Sequence, residues 1–350
     1  MEEKHVKWLD DALKTHSRLT ESVVTVFENL LKAKNIDFLA VTGRTKDKKS
    51  VLEKIERKGY KRPEVQMTDL SGVRVILYFE SDVDKVSELI SESFGVDFEN
   101  SMDKSKVLSK DQIGYRSVHF VCTLGSKRAI LPEYSNLTDL KFEVQVRTVL
   151  QHAWAELAHD SNYKFSGTLP PEIERKLYLY AGMLEVADKG FDELSSQIDA
   201  YKDSVDKKSK SGDLSINIDS ISVKKFFDSW VKESGIEIDS QPKNINDLVR
   251  ELKEFKVHTL SDLKDIIPIN YEKVFIEIGE QSNILGIIRD WMLISDWKRF
   301  LESVQISWCV DEDSLPILRR FVVGEDYNEM LNKLDSVGSL ELEGYGEDAG

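Results

Sequence analysis

The stretch DLKFEVQVRTVLQHAWAELAHDSNYK, residues 139–164, contains a strand pattern that passes directly into a helix pattern. Apolar and polar residues alternate strictly as far as Arg147, which is the period of a strand with one buried face. The polar face would carry Glu143, Gln145 and Arg147 in a row, with roughly 6–7 Å between neighbours. Thr148 can cap the following helix, because its hydroxyl can accept a hydrogen bond from a free backbone amide. Taken alone, the pattern also fits an edge strand whose polar face is solvated.

A second strand pattern, MTDLSGVRVILYF, covers residues 67–79. Asp69 comes just before its apolar run, Gly72 permits close approach of another group, and Arg74 is the charged residue inside the run. A charge within an apolar strand needs a partner or a ligand, because burying it alone is costly. Asp69 by itself also fits a turn former. The two strands together favour a chemical site on one face of a sheet.

Residues 44–62 hold nine basic and three acidic residues, a local charge of +6. They follow a predicted short strand, 38–42, and they open a predicted helix that continues to about Lys58. Free backbone amides and the positive end of the helix dipole favour anions at such a position. The region therefore predicts a site for a polyanion, and the alternative is a solvated charged helix.

Composition divides the chain into two parts. The net charge of −15 is distributed as −2 over residues 1–210 and −13 over residues 211–350. A length of 350 residues favours two domains, and Cys122 and Cys309 lie too far apart for a disulfide framework or a zinc motif. The sequence has no apolar run of the roughly 18 residues that a membrane helix needs. Its first residues do not fit a signal peptide, so we expect a cytoplasmic protein.

The chemically notable residues form four motifs in a fixed order. The motifs are Arg44-x-Lys46-x-x-x-Ser50-x-x-x-Lys54, Asp69-x-x-Gly72-x-Arg74, Gly114-Tyr115-x-Ser117-x-His119 and Glu143-x-Gln145-x-Arg147-Thr148. Their order and spacing over roughly residues 20–200 resemble the synthetase domain of the RelA/SpoT family. The likeness is to small alarmone synthetases without a hydrolase domain, since that domain would precede Gly43, where only about forty residues are available.

The resemblance implies an ATP pyrophosphokinase. Such an enzyme transfers the β,γ-pyrophosphate of ATP to the 3′-hydroxyl of GDP or GTP with Mg²⁺ as cofactor, and its products are the (p)ppGpp alarmones of the stringent response. The implied fold is an α+β, nucleotidyltransferase-like catalytic domain with a mixed β-sheet, which we expect over residues 1–204. An acidic all-α accessory domain is expected over residues 214–340.

The resemblance also assigns roles to individual residues. Asp69 and Glu143 would bind Mg²⁺, and Glu143 would activate the attacking hydroxyl. On the donor side, adenine would lie between the guanidinium groups of Arg44 and Arg74. The phosphates of ATP would bind to Lys46, Ser50 and Lys54. On the acceptor side, the ring of Tyr115 would stack on the base. The polar residues that would order the acceptor nucleotide are Ser117, His119, Gln145 and Arg147.

The loop before Tyr115 departs from the family, in which it usually reads Lys-x-Asn-Gly-Tyr. Here the first and third positions are Asp111 and Ile113. An anion beside the 5′ phosphates of the acceptor is unfavourable, and isoleucine cannot hydrogen-bond a base edge. Lys110 or Arg116 would have to compensate. The alternative acceptor is the 3′-CCA end of tRNA, which toxic relatives of this family modify.

Three further interpretations stay open. His152, Glu156 and His159 share one helical face, which a weaker interpretation would assign to zinc. A nucleotide sensor without turnover would keep the same residues. The acidic C-terminal part could dock on the basic site, bind a protein partner or support a homo-oligomer, and no DNA or membrane partner is expected.

A long helix from Pro170 or Pro171 to about Tyr201, followed by a linker over residues 202–213, would join the two parts.

Overall fold

The computed structural model describes residues 3–103, 117–164, 170–239, 241–279, 281–310 and 314–341. The chain forms two compact units, Met1–Ser196 and Gln197–Gly350. No helix among the described residues has both the length and the apolar content that crossing a membrane requires.

The first unit combines a β-sheet with flanking helices. Its strands are β1 (Phe38–Thr45), β2 (Ser71–Leu77), β3 (Gly95–Asp103), β4 (Val118–Thr123) and β5 (Phe142–Thr148). Its helices are α1 (Glu3–Ala33), α2 (Lys48–Lys58), α3 (Pro63–Gln66), α4 (Glu80–Ser93), α5 (Ser126–Ala129) and α6 (Val149–Lys164), with a 3₁₀ turn at Pro132–Tyr134. Helix α7 (Pro171–Lys210) begins in this unit and ends in the second.

The five strands form one mixed sheet in the order β1-β2-β5-β4-β3. Strands β2 and β5 are parallel, and the other neighbouring pairs are antiparallel. The expected α+β fold with a mixed sheet is confirmed. Because β5 lies between β2 and β4, the second and fourth sequence motifs occupy adjacent strands.

One face of the sheet is buried against helices. The alternating residues Phe142, Val144 and Val146 are fully buried and belong to a core with apolar residues of α1 and α4. Phe142 meets the Phe94 ring edge-on, with the ring centroids 5.6 Å apart. Since neighbouring strand residues point to opposite faces, Glu143 and Gln145 must point away from this core.

The second unit is helical, as the pattern predicts. Its helices are α8 (Ser220–Ser234), α9 (Asn246–Glu254), α10 (Leu260–Asp265), α11 (Tyr271–Ile278), α12 (Ile284–Ser303), α13 (Leu315–Phe321) and α14 (Glu325–Ser336). Trp230, Tyr271 and Trp291 pack ring against ring at its centre, with centroids 4.7–6.2 Å apart. The fully buried Glu251 accepts two hydrogen bonds of 2.8 Å from Arg289, so this buried charge is paired.

The predicted linker over residues 202–213 is wrong for most of its length, because α7 continues to Lys210. Val205 is buried in the core of the second unit. Asp206 pairs with Lys225 at 2.9 Å, and Lys210 lies in the last turn, where a cation suits the negative end of the helix dipole. Tertiary packing therefore overrides the polar composition of this segment.

Candidate functional site

The polar face of β1, β2 and β5 borders a cavity of about 580 Å³. Eight of the residues named in the motifs line it: Arg44, Lys46, Ser50, Asp69, Gly72, Arg74, Glu143 and Gln145. Thr42, Gly43 and Val73 complete the lining. Three motifs that lie far apart in sequence thus meet at one place.

Strand register explains this convergence. Gly72 lies opposite Glu143 in the parallel pair of β2 and β5, and Arg74 lies opposite Gln145. In the antiparallel pair of β1 and β2, Arg44 lies opposite Gly72. Residues directly opposite each other project to the same face of a sheet. The motif spacing of two residues therefore repeats on neighbouring strands and builds one polar surface.

Asp69 stands between two lysine side chains at the edge of the cavity. The Nζ atoms of Lys46 and Lys54 both donate to Oδ2 of Asp69, the latter at 2.6 Å. Burial alone would raise the pKa of Asp69, but these two hydrogen bonds hold it below its ordinary value. The pKa of Lys46 is also lowered, because burial and the nearby Lys54 cation outweigh the attraction of Asp69. The carboxylate is therefore ionised and shared by two cations.

Helix α2 begins at this cavity. Its cap is Asp47, whose carboxylate accepts hydrogen bonds from the backbone N–H of Ser50 at 2.9 Å and from the Ser50 hydroxyl at 2.6 Å. Lys54 follows one turn later on the same helix. The first turn thus places Ser50 in the lining of the cavity, and Lys54 contacts the lining residue Asp69.

Glu143 occupies the middle of a hydrogen-bonded chain. His119 on β4 contacts Oε1 of Glu143 through Nδ1 at 2.5 Å and Ser117 Oγ through Nε2 at 2.7 Å. Gln145 Nε2 donates to the same oxygen at 3.3 Å. Burial alone would raise the pKa of Glu143, but the His119 contact holds it below its ordinary value. Glu143 is thus a fixed, ionised carboxylate.

The arginines lie beside this chain. Arg147 is buried and donates to Oε1 of Gln145. Burial and the nearby Arg74 cation lower the pKa of Arg147. Arg74 pairs at 2.9 Å with Glu156 of α6, a residue to which the sequence analysis gave only a zinc interpretation. The signal that could have identified Glu156 is Arg74 itself, since a charge in an apolar strand requires a partner.

Several predicted residues do not line the cavity directly. Lys54, His119 and Arg147 form hydrogen bonds to residues that line it. Ser117 is hydrogen-bonded to His119. Tyr115 and the neighbouring Asp111 and Ile113 lie outside the described residues, and so does the side chain of His159. Among the side chains that are described, no group of three His, Cys, Asp or Glu residues could hold a metal ion.

A hard divalent cation nevertheless suits the donors at this cavity. Asp69 and Glu143 both line it, and Oδ1 of Asp69 is buried without a hydrogen-bond partner. Mg²⁺ typically binds one or two protein carboxylates and completes its shell with water and phosphate oxygens. The two carboxylates therefore fit a magnesium ion that arrives with a polyphosphate.

Comparison with known proteins agrees with the motifs. Residues 43–168 match a family model described as the region found in RelA / SpoT proteins. Two relatives from Bacillus subtilis (strain 168) are GTP pyrophosphokinase YjbM, 28% identical over 171 residues, and GTP pyrophosphokinase YwaC, 26% identical over 160 residues. These alignments cover 49% and 45% of this chain and 78% and 73% of the relatives.

Solved structures give matches over about half of the chain. The small alarmone synthetase 1 from Bacillus subtilis has a TM-score of 0.47 and 24% identity, and the match covers 55% of this chain and 98% of that one. A GTP pyrophosphokinase family protein from Streptococcus pneumoniae has a TM-score of 0.47 and 25% identity, with 55% and 94% covered. The family match at residues 43–168 contains all four motifs, so the resemblance seen in the sequence is confirmed.

Proposed function

We propose that this chain, whose residues 43–168 form a RelA/SpoT domain, is an ATP pyrophosphokinase that makes (p)ppGpp from ATP and GDP or GTP. The observation that carries the proposal is the cavity in which a lysine and serine cradle faces two ionised carboxylates. The relatives that share the domain are named GTP pyrophosphokinases. We expect the reaction in the cytoplasm, with residues 1–204 as the catalytic domain.

The donor ATP would lie over β1 and β2. Lys46, Lys54 and Ser50 would hold its phosphates, helped by the positive end of α2. Arg44 and Arg74 are diagonal neighbours on the two strands, a relation that separates side chains by about 7–8 Å. If a flat base lies between two guanidinium groups, the two guanidinium planes must be separated by about twice the contact distance of 3.5–4.0 Å. The spacing therefore suits adenine between these two arginines.

The chemistry would centre on Glu143. The 3′-oxygen of the acceptor attacks the β-phosphorus of ATP, the bond from that phosphorus to the α,β-bridging oxygen breaks, and AMP leaves with the bond electrons. Glu143 accepts the proton of the 3′-hydroxyl, since its lowered pKa keeps the carboxylate ionised. Asp69 and Glu143 would hold Mg²⁺, which would offset the phosphate charge. His119 and Gln145 fix Oε1 of Glu143 and so orient the base.

The acceptor would lie over β5 and β4. His119, Ser117, Gln145 and Arg147 form a continuous hydrogen-bonded row through Glu143 on this side. Tyr115, two residues before Ser117 in sequence, would supply the stacking ring for the base. This assignment leaves the donor and the acceptor on opposite sides of Glu143.

A second acceptor is the 3′-CCA end of tRNA. The observation that favours it is the pair Asp111 and Ile113, which replaces the lysine and asparagine that the family usually has. An acceptor without free 5′ phosphates would not meet the repulsion of Asp111. In that case the chain would act as a toxin that blocks translation.

One assay separates these possibilities. Purified protein receives ATP labelled at the γ-phosphate and Mg²⁺, together with GDP, GTP or bulk tRNA, and label transfer and AMP release are measured. We expect transfer to GDP or GTP, and transfer to tRNA alone would establish the second acceptor. Glu143→Gln should lower the transfer rate by about 10²–10⁴-fold, the usual contribution of a general base. ATP binding without transfer to any of these acceptors would favour a nucleotide sensor and contradict the proposal.

A further inference from the structure

The two lysines of the proposed phosphate cradle are engaged with a carboxylate of the protein itself. Both Nζ atoms contact the same oxygen, Oδ2 of Asp69. The side chains of Lys46, Lys54 and Asp69 are 27%, 22% and 15% exposed, so water screens these charges only in part. Two cations and one anion therefore occupy the place that a metal ion and a triphosphate would have to share.

We propose that Lys46 and Lys54 act as a lock on Asp69, such that a divalent cation binds at Asp69 only together with a polyphosphate that draws the two lysines away. We call these two residues and Asp69 the lysine lock. The inference rests on the proposed function for the identity of the phosphates. It adds that the protein alone has little affinity for the metal and that metal and nucleotide enter as one unit.

The charges explain why the lock would exclude a metal ion. Oδ1 of Asp69 is buried and has no hydrogen-bond partner, so it is the free ligand position. A divalent cation there would meet two ammonium groups held on the other oxygen of the same carboxylate. Phosphate oxygens would reverse this balance, because they bind the ammonium groups and also supply ligands to the metal.

Glu143 does not remove the need for this exchange. Its Oε1 is already held by His119 and Gln145, and a single further carboxylate rarely holds Mg²⁺ without phosphate. The coupling must also be reciprocal: the factor by which nucleotide improves metal affinity equals the factor by which metal improves nucleotide affinity. The lock can therefore be tested by measuring either metal affinity or nucleotide affinity, without catalytic turnover.

The first experiment measures Mn²⁺ binding to the nucleotide-free full chain by electron paramagnetic resonance. Removal of both cations in Lys46→Met/Lys54→Met should tighten Mn²⁺ binding by about tenfold or more, a usual size for coupling between sites. Adding Asp69→Asn to this variant should abolish the gain. The matched control is Lys48→Met, because Lys48 is on the same helix but pairs with Asp10 at 2.6 Å. Mn²⁺ binding no tighter in the double variant than in the wild type would overturn the inference.

The second experiment keeps the test decisive if the double variant does not fold. In EDTA, Asp69→Asn should bind ATP about tenfold more tightly than the wild type, since the lysines lose their competing carboxylate. Unchanged or weaker ATP binding in a folded Asp69→Asn protein would contradict the lock. Neither measurement involves pyrophosphate transfer. A positive Mn²⁺ result in a chain that transfers pyrophosphate to no acceptor would thus reject the proposed function and retain the lock.

Discussion

Gly72 allows the candidate site to be tested separately from the fold. It lines the cavity between Arg44 and Glu143, which lie opposite it on the neighbouring strands. A Cβ atom built at Gly72 would meet the backbone oxygen of Arg44 at 3.8 Å, an ordinary van der Waals contact. Packing within the described protein therefore leaves room for a methyl group here, and a nucleotide bound over β2 would meet it.

The expected effects of Gly72→Ala have opposite signs for stability and binding. An alanine in a strand is more stable than glycine by about 0.5–1 kcal/mol, because the unfolded chain loses less entropy. A methyl group that overlaps with a bound nucleotide costs about 1–3 kcal/mol of binding free energy. That cost corresponds to roughly a five- to 150-fold loss of ATP affinity. The variant should thus be at least as stable as the wild type but bind ATP poorly.

Gly43→Ala supplies the matched contrast. Its Cβ would lie 2.5 Å from Thr20 Cγ2 and 2.8 Å from Val24 Cγ2 on α1. Thr20 cannot easily rotate away, since its hydroxyl bonds the His16 carbonyl at 2.8 Å and the Thr45 hydroxyl at 3.0 Å. Overpacking of this kind costs about 1–3 kcal/mol of stability.

Urea unfolding followed by circular dichroism gives the stability of both variants, and calorimetric titration with a non-hydrolysable ATP analogue gives the affinity. The wild type, Gly72→Ala and Gly43→Ala are measured under the same conditions. A Gly72→Ala protein that binds the analogue as the wild type does would refute the placement of ATP over β2. A loss of stability in Gly72→Ala as large as in Gly43→Ala would refute the packing argument.

Two further predictions concern the protein without ligands. Asp69 has a folded-state pKa below its ordinary 3.8, so its contribution to stability is complete above that value and is lost as the pH falls through the lower folded value. Urea unfolding between pH 6 and pH 3 should therefore show a smaller loss of stability in Asp69→Asn than in the wild type, and equal losses would contradict the ion pairs. Thr148→Val should lower the free energy of unfolding by about 1.5–3 kcal/mol, the usual contribution of a hydrogen bond to a charged group, because it removes the 2.6 Å hydrogen bond from the Thr148 hydroxyl to the buried Asp188. Asp199→Asn on the exposed part of α7 is the control and should change stability by less than about 0.5 kcal/mol. Equal effects of the two changes would show that the hydrogen bond from Thr148 to Asp188 does not stabilise the fold.

Local periodicity explains what the sequence could predict about the fold. The alternation through Val144 and Val146 requires one buried face and one polar face, and both are present. In the C-terminal part, apolar residues at helical spacing predict helices over residues 223–233, 245–255 and 284–304, and the structure has α8, α9 and α12 there to within a few residues. These elements follow from contacts between residues close in sequence, for which spacing is sufficient information.

Long-range pairing explains what could not be predicted. The contact of Arg74 with Glu156 and the sharing of Asp69 by two lysines depend on how β2, α2 and α6 meet. The short helices α11 and α13 were not predicted, and their positions depend on the aromatic core around Tyr271, which contacts Phe321. The resemblance to a family predicted which residues form the site, but it did not indicate which of them contact each other.

Strand order also accounts for how one face could serve two nucleotides. In chain order the motifs run β1, β2, β4 and β5, whereas in space β5 lies between β2 and β4. Neighbouring strands are about 4.8 Å apart, so the proposed donor residues on β1 and β2 and the proposed acceptor residues on β4 flank Glu143 at one or two strand spacings. A strand order that followed the chain would put β5 at the edge of the sheet, away from β2, and would so move Glu143 to the outside. The parallel insertion of β5 between β2 and β4 would therefore set the proposed base between the proposed donor and acceptor sites.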